Sequence, residues 1–201
     1  MTVKSTITTI DLLRNGVIED DAVFCGSTDD TLTDQGWQQM VKALENKKGW
    51  DLVVSSKLQR CREFAELIAS EDDIDIELDR SFDEIDFGNW EGLAPEKIME
   101  EEDELLNAWW QSPTKHSPPK GEDFHQFQAR VLKAFKEIVE NNSGKKILIV
   151  ADSWPIRVIL MHILGLQGEH LFRINVDYAC YSQLQIHHDE VGQKGCLIRH
   201  G

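Results

Sequence analysis

Two kinds of apolar spacing alternate along the chain. Short runs rich in β-branched residues predict strands, and runs with apolar residues at three- and four-residue steps predict helices. Residues 7–13 read ITTIDLL, a first strand; residues 51–55, DLVVS, a second; residues 145–151, KKILIVA, the clearest buried parallel strand. Residues 74–78 alternate as IDIEL, which suits an exposed edge. Thr33 and Asp34 are suited to start a helix with Trp37, Met40, Val41 and Leu44 on one face. Leu58, Cys61, Ala65 and Ile68 form the inner stripe of the next helix, and Pro95 opens one through the acidic run 100–104, read as a solvated face. Residues 112–121 carry three prolines and predict a loop. Phe124, Phe127, Val131, Phe135 and Ile138 then mark the strongest amphipathic helix, closed by Gly144. Pro155 opens a last helix, and from about residue 179 the tail predicts a strand and a hairpin partner ending in CLIRHG. Strands alternating with helices imply a three-layer α/β/α sandwich on a mainly parallel sheet. The expectation is one domain over residues 1–201, with a small helical cap inserted at about 88–121.

Composition narrows the function. With 21 Lys and Arg against 36 Asp and Glu, the net charge is −15, which argues against nucleic acid and anionic membranes as partners. No apolar run nears the ~20 residues that span a bilayer, and the start, MTVKSTITTIDLL, lacks the marks of a signal peptide. Cys25, Cys61, Cys180 and Cys196 form no CxxC pair and no Cys/His cassette. They read as free thiols in a reducing cytoplasm, with no metal and no cofactor implied.

Ligand sites in such sheets sit at the C-terminal strand ends. Three ends deliver reactive side chains: Arg14-Asn15-Gly16 after the first strand, residues 55–60 (SSKLQR) after the second, and Asp152-Ser153-Trp154 after KKILIVA. Two arginines and a helix N-terminus converging there predict an anion pocket with phosphate as its natural occupant.

The constellation resembles the histidine phosphatase superfamily, with its phosphoglycerate mutase-like fold, and within it the alpha-ribazole phosphatases. The L-x-R-H-G motif stands as LLRNG at 12–16, and G-x-T-D-x-x-L-T-x-x-G as GSTDDTLTDQG at 26–36. S-S-P-L-x-R-C stands as SSKLQRC at 55–61, with Lys57 in place of proline, and E-x-D-F-G-x-W-E-G is intact at 84–92. A P-P-x-G-E-x-F stretch at 118–124 precedes Arg130-Val131, and V-x-H-x-x-x-I-R stands as VADSWPIR at 150–157. The resemblance spans roughly residues 7–187 and implies metal-free hydrolysis of a small phosphomonoester through a phosphohistidine.

The departures bear on that activity. The resemblance puts a nucleophilic histidine where this chain has Asn15, whose amide nitrogen has its lone pair delocalised into the carbonyl. It puts a second, phosphoryl-binding histidine where this chain has Asp152. A carboxylate ~4 Å from a phosphate charge is repelled by ~4 kcal/mol at an effective dielectric near 20. Val17 replaces the family's glutamate and Cys25 an arginine, whereas Arg14, Arg60 and the acid position Glu84 persist. The expectation is a degenerate member whose phosphate pocket, with Arg14, Arg60 and Ser153, holds a small phosphorylated metabolite or inorganic phosphate without normal turnover. Asp152 is expected to pair with both Arg14 and Arg60. The alternative is an active phosphomonoesterase in which Asp152 attacks or activates water and Glu84 is the leaving-group acid. A third reading has the terminal Leu197-Ile198-Arg199-His200-Gly201 replace the first strand, in cis or in a swapped homodimer; chance occurrence of the string is favoured over it.

Other residues carry less. His187 and His188 are adjacent on a strand and point to opposite faces. His162 is expected in the core. Trp109 and Trp110 are expected either to line the pocket mouth or to pack the cap, and His116 and His125 flank a loop that lies over substrate in relatives.

Overall fold

The computed structural model describes residues 6–190 and 192–201. The reading of the N-terminal leader therefore lies partly outside the described residues. In chain order the elements are β1 (Thr6–Arg14), α1 (Asp34–Ala43), β2 (Leu52–Ser55), α2 (Gln59–Asp72), β3 (Ile76–Leu78), α3 (Pro95–Gln111), α4 (Phe124–Asn141), β4 (Lys146–Ala151), α5 (Ser153–Leu164), β5 (Tyr181–Asp189) and β6 (Gly192–His200). The six strands form one sheet in the order β3-β2-β4-β1-β5-β6. The first four are parallel; β5 runs antiparallel to β1, and β6 antiparallel to β5.

The period-two pleat divides each central strand between two apolar cores. Ile10, Leu12, Ile147 and Ile149 face the core shared with α3, α4 and α5, where Leu106, Phe127, Val131 and Ile159 are buried. Leu13, Leu148 and Val150 face the opposite core, against Met40 of α1 and Cys61, Phe64 and Ala65 of α2. Helices therefore cover both faces, as the alternation of elements predicts. Among the described residues no helix is long and apolar enough to cross a membrane.

Two expectations change in three dimensions. Val41 is 58% exposed, because α1 buries Gly36 and Met40 and turns Val41 outward beside the half-buried Trp37. His162 is exposed rather than in the core: α5 buries Ile156, Ile159 and Leu160, and His162 falls on the outer side of its last turn. The terminal LIRHG stays at the sheet edge on β6, while β1 holds the central position between β4 and β5. His200 there bonds Ser182 Oγ at 2.8 Å and the Asn175 carbonyl at 2.7 Å.

The loop after β1 is fixed by a close approach of two glycines. A Cβ on Gly16 would lie 2.2 Å from the Gly36 carbonyl oxygen at the start of α1, and a Cβ on Gly36 would lie 2.2 Å from the Val17 oxygen. Gly16→Ala is expected to destabilise the fold by ~2 kcal/mol or more in an equilibrium urea titration; a change below ~0.5 kcal/mol, the range of an ordinary surface substitution, would contradict this packing.

Candidate active site

The strand ends deliver the expected residues to one place, in a different arrangement from a simple clamp. Arg60 enters from the first turn of α2 and Asp152 from the residue before α5. The Arg60 Nε donates to Asp152 Oδ1 at 2.6 Å, and the two side chains are only 1% and 7% exposed. The remaining guanidinium N–H groups also find protein partners. Nη1 donates to the Thr28 carbonyl at 2.6 Å and approaches Cys25 Sγ at 3.5 Å; Nη2 donates to the Gly26 and Cys25 carbonyls at 2.8 and 3.4 Å. A guanidinium has five such donors, and all are engaged by the protein.

Arg14 does not pair with Asp152, which corrects the expected double bridge. Its Nη1 donates to the Val176 carbonyl at 2.8 Å, and its guanidinium carbon lies 4.0 Å over the Tyr178 ring. The connection ahead of β5 captures it first. Buried Arg14 Nε has no hydrogen-bond partner, and neither does Asn15 Oδ1 beside it. Asn15 is 1% exposed and turns its amide NH2 to the Gly16 carbonyl at 3.0 Å.

Glu84 takes over the helix end that Asp152 leaves. Asp152 stands at the N-cap of α5 but makes no side-chain cap bond. Instead Glu84 Oε2 accepts from Trp154 N and Ser153 Oγ, both at 3.3 Å, and Oε1 from Ile85 N at 3.0 Å. A carboxylate at a helix N-terminus is favoured by the aligned N–H dipoles. Burial, and then the Asp152 charge, nonetheless raise the Glu84 carboxyl to about 7. The same burial raises the Cys25 thiol to about 11, the Arg60 charge opposing it, so Cys25 is a neutral thiol where the resemblance puts an arginine.

Two further side chains position this site. Glu91 accepts from the backbone N–H groups of Gly26, Ser27 and Thr28 and from the Thr28 hydroxyl, fixing the carbonyls that receive Arg60. Arg130 grips Glu122 with two hydrogen bonds, at 2.7 and 2.8 Å, and donates to the carbonyls of Asp83 and Glu84. It thereby sets the loop that carries the Glu84 carboxylate.

These groups open onto a cleft of about 280 Å3, lined by Arg14, Asn15, Cys25, Glu84, Asp152 and Ser153 at its polar end. Arg60 is not among the lining residues. Phe87, Trp109, Trp110, Trp154, Phe172 and Tyr178 supply aromatic walls. Trp109 is buried and stacks on Trp154 at 5.5 Å, whereas Trp110 is 40% exposed at the mouth, so the pair serves both expected roles. His116 and His125 are exposed and do not line the cleft. Tyr178, Phe172 and Asp21 do line it; Tyr178 and Asp21 lie in turns and Phe172 on a short 3-10 helix (Gly168–Arg173), segments too short to carry a periodic signal. Among the described residues no group of three or more His, Cys, Asp or Glu side chains is placed to hold a metal ion.

The doubly covered, mainly parallel sheet thus brings Arg14, Arg60, Glu84 and the N-terminus of α5 together at its strand ends. The family model described as the Histidine phosphatase superfamily (branch 1) matches residues 10–195, and the chain belongs to that family. It is 32% identical over 191 residues to a bifunctional protein of Mycobacterium tuberculosis, a match covering 92% of this chain. The chain spans about half (52%) of the length of that relative. It is 26% identical over 179 residues to the adenosylcobalamin/alpha-ribazole phosphatase of Escherichia coli, covering 87% of this chain and 88% of the relative. Among solved structures, a mycobacterial glucosyl-3-phosphoglycerate phosphatase superposes with a TM-score of 0.85 at 22% identity, covering 97% of this chain and 98% of the neighbour. YhfR of Bacillus stearothermophilus superposes with a TM-score of 0.83 at 26% identity, covering 95% and 96%.

The Glu84 environment has a pH signature. An ordinary carboxyl of this type titrates at 4.5, and in the fold it holds its proton to about 7. Between those values the native state binds the extra proton, so stability falls as pH rises through the window. Urea midpoints measured from pH 5 to 8 should decline, and Glu84→Gln should remove much of that decline. An unchanged slope in the variant would contradict this placement of Glu84.

Proposed function

We propose that this chain is a degenerate histidine phosphatase: it keeps a cleft for a small phosphorylated metabolite or inorganic phosphate and lacks phosphohistidine turnover. The observation that carries the reading is the Arg60–Asp152 pair, with its 2.6 Å contact and complete engagement of the guanidinium. The carboxylate takes the place of a substrate oxygen on the more buried cation, and Asn15 offers no usable nucleophile beside it. Phosphoryl transfer depends on positioning plus electrostatic stabilisation of the transferred group. Both are weakened when one cation is internally neutralised and the nucleophile is an amide.

Binding is a separate matter from turnover. Arg14 keeps an unpartnered Nε next to the unpartnered Asn15 Oδ1, a donor and an acceptor in residues that line the cleft. Buried polar atoms without partners cost free energy that a ligand or ordered water recovers. A protein of the same fold has been solved with inorganic phosphate and with vanadate, which supports an oxyanion ligand. The alpha-ribazole phosphatase relatives support a cobalamin-related phosphoester as one member of that ligand class. The four free cysteines support a reducing, cytoplasmic setting.

One observation favours a second reading. Glu84, protonated up to about pH 7 beside Asp152, has the properties of a leaving-group acid. In that reading Asp152 supplies the attack and the chain hydrolyses phosphomonoesters by an altered route.

Phosphate release from p-nitrophenyl phosphate separates the two. The unaltered chain is expected to release no more than Arg14→Ala does, and Asn15→His combined with Asp152→His should gain turnover. Hydrolysis by the unaltered chain that disappears in Asp152→Asn would contradict the degenerate reading and establish the altered route.

A further inference from the structure

The surface charge reverses on the side of the sheet edge. A furrow of about 790 Å3 opens between α1, the end of α5 and the connection leading into β5. A second hollow of about 460 Å3 continues it along β6, sharing Lys47, Tyr181 and Arg199 with the first. Lys42, Lys47, Lys48, Lys146, Arg173 and Arg199 line the two, six of the chain's 21 basic residues, whereas Asp177 is the one acidic side chain among the lining residues. In a chain with 36 acidic residues this segregation is the reverse of the average surface.

The cations are of two kinds. Lys146 is held by Asp11 at 3.5 Å, and Lys47 donates to the Ala43 carbonyl at 2.6 Å beneath the Tyr181 ring. Lys42, Lys48, Arg173 and Arg199 have no ion pair among the described residues and are exposed. Keeping like charges together costs free energy that an anion between them recovers. The floor is apolar: Leu160, Ile174 and Leu197 lie under a rim that includes Leu164, 45% exposed, with the Tyr178 and Tyr181 rings beside them. A furrow of this size with an apolar floor and a few convergent charges has the form of a small-ligand site. A bare phosphate leaves the floor wet, and a neutral apolar molecule leaves the cations uncompensated. A flat apolar body bearing two or more negative charges satisfies both.

We propose that this furrow is a second ligand site, for a polyanion of the nucleoside diphosphate type. The phosphates lie among Lys42, Arg173 and Arg199, and the planar body lies on the aliphatic floor between the two tyrosine rings. The site is separate from the phosphatase cleft; the two share only Tyr178 as a lining residue. The proposal does not rest on the degenerate reading of that cleft.

The test is calorimetric titration of the full chain with ADP at low salt, with adenosine and inorganic pyrophosphate titrated separately. ADP should bind more tightly than either fragment, and Arg173→Glu with Arg199→Glu should weaken it by about tenfold or more. Both residues are exposed, so the double variant should keep the melting temperature of the parent. Trp110→Ala should leave ADP affinity within about twofold, because that exposed side chain lines the other cleft alone. Raising the salt concentration should weaken binding, since the rim charges are screened. No ADP binding at millimolar concentration, equal affinity in the double variant, or pyrophosphate binding as tightly as ADP would overturn the proposal. Loss of ADP binding in Trp110→Ala would also overturn it, by placing the nucleotide in the phosphatase cleft.

Discussion

A guanidinium buried at 1% exposure has to be neutralised and hydrogen-bonded where it stands, and much of the site follows from how Arg60 meets that demand. Asp152 supplies the counter-charge; the carbonyls of Cys25, Gly26 and Thr28 supply the remaining acceptors. Those carbonyls are presented by a loop that Glu91 ties down through its backbone N–H groups. With Asp152 committed to Arg60, the N-terminus of α5 is left to Glu84, whose loop is in turn held by Arg130. A chain of charge compensation therefore runs from α2 through β4 to the loop after β3. Removing one partner of such a pair costs ~3–5 kcal/mol through the charge left behind.

The chemistry of the cleft is a consequence of that chain. A histidine in place of Asp152 puts a second positive or neutral donor beside Arg60 and leaves both to a substrate. The carboxylate instead closes the arginine from within, and the cleft keeps Arg14 as its accessible cation. The buried Glu84 carboxyl, raised to about 7, shows the electrostatic balance from the other side, since a nearby anion and exclusion of water together make its ionisation costly. In the proposed reading, the anion that Arg60 holds is a carboxylate of the protein itself. Arg14 and Asn15 line the cleft, and Arg14 Nε and Asn15 Oδ1 are buried there without hydrogen-bond partners.

Much of this was legible in the chain, and the reasons differ by element. The stripe Phe124, Phe127, Val131, Phe135 and Ile138 faces the core because its spacing leaves no alternative face. The central strands β2 and β4 were readable because both of their faces are buried, so all but the terminal residues Ser55 and Lys146 are apolar. The meeting of Arg14, Arg60 and Asp152 followed from the rule that strand ends build the site, and the presence of Glu84 there followed from the family resemblance. Which carboxylate pairs with which arginine did not follow, because it depends on Val176 and Tyr178 reaching Arg14 first, across more than 160 residues. His162 and Val41 were misplaced for a local reason: an apolar neighbourhood in sequence does not fix the side of the helix on which a residue falls. The basic furrow was hidden by the net charge of −15, since a sum over the chain carries no information about where opposite charges segregate.

In the proposed reading Asp152 occupies an anion site that Arg60 otherwise offers to a ligand. Orthovanadate affinity, measured by calorimetry on the unaltered chain and on Asp152→Asn, tests it most directly. Removing the carboxylate frees Arg60 Nε and abolishes a repulsion of ~4 kcal/mol at 4 Å for an effective dielectric near 20. The account predicts weak binding by the unaltered chain and binding tighter by about tenfold or more in Asp152→Asn. Equal or weaker binding in the variant would mean that Asp152 does not stand in for an anion, and the account would be contradicted.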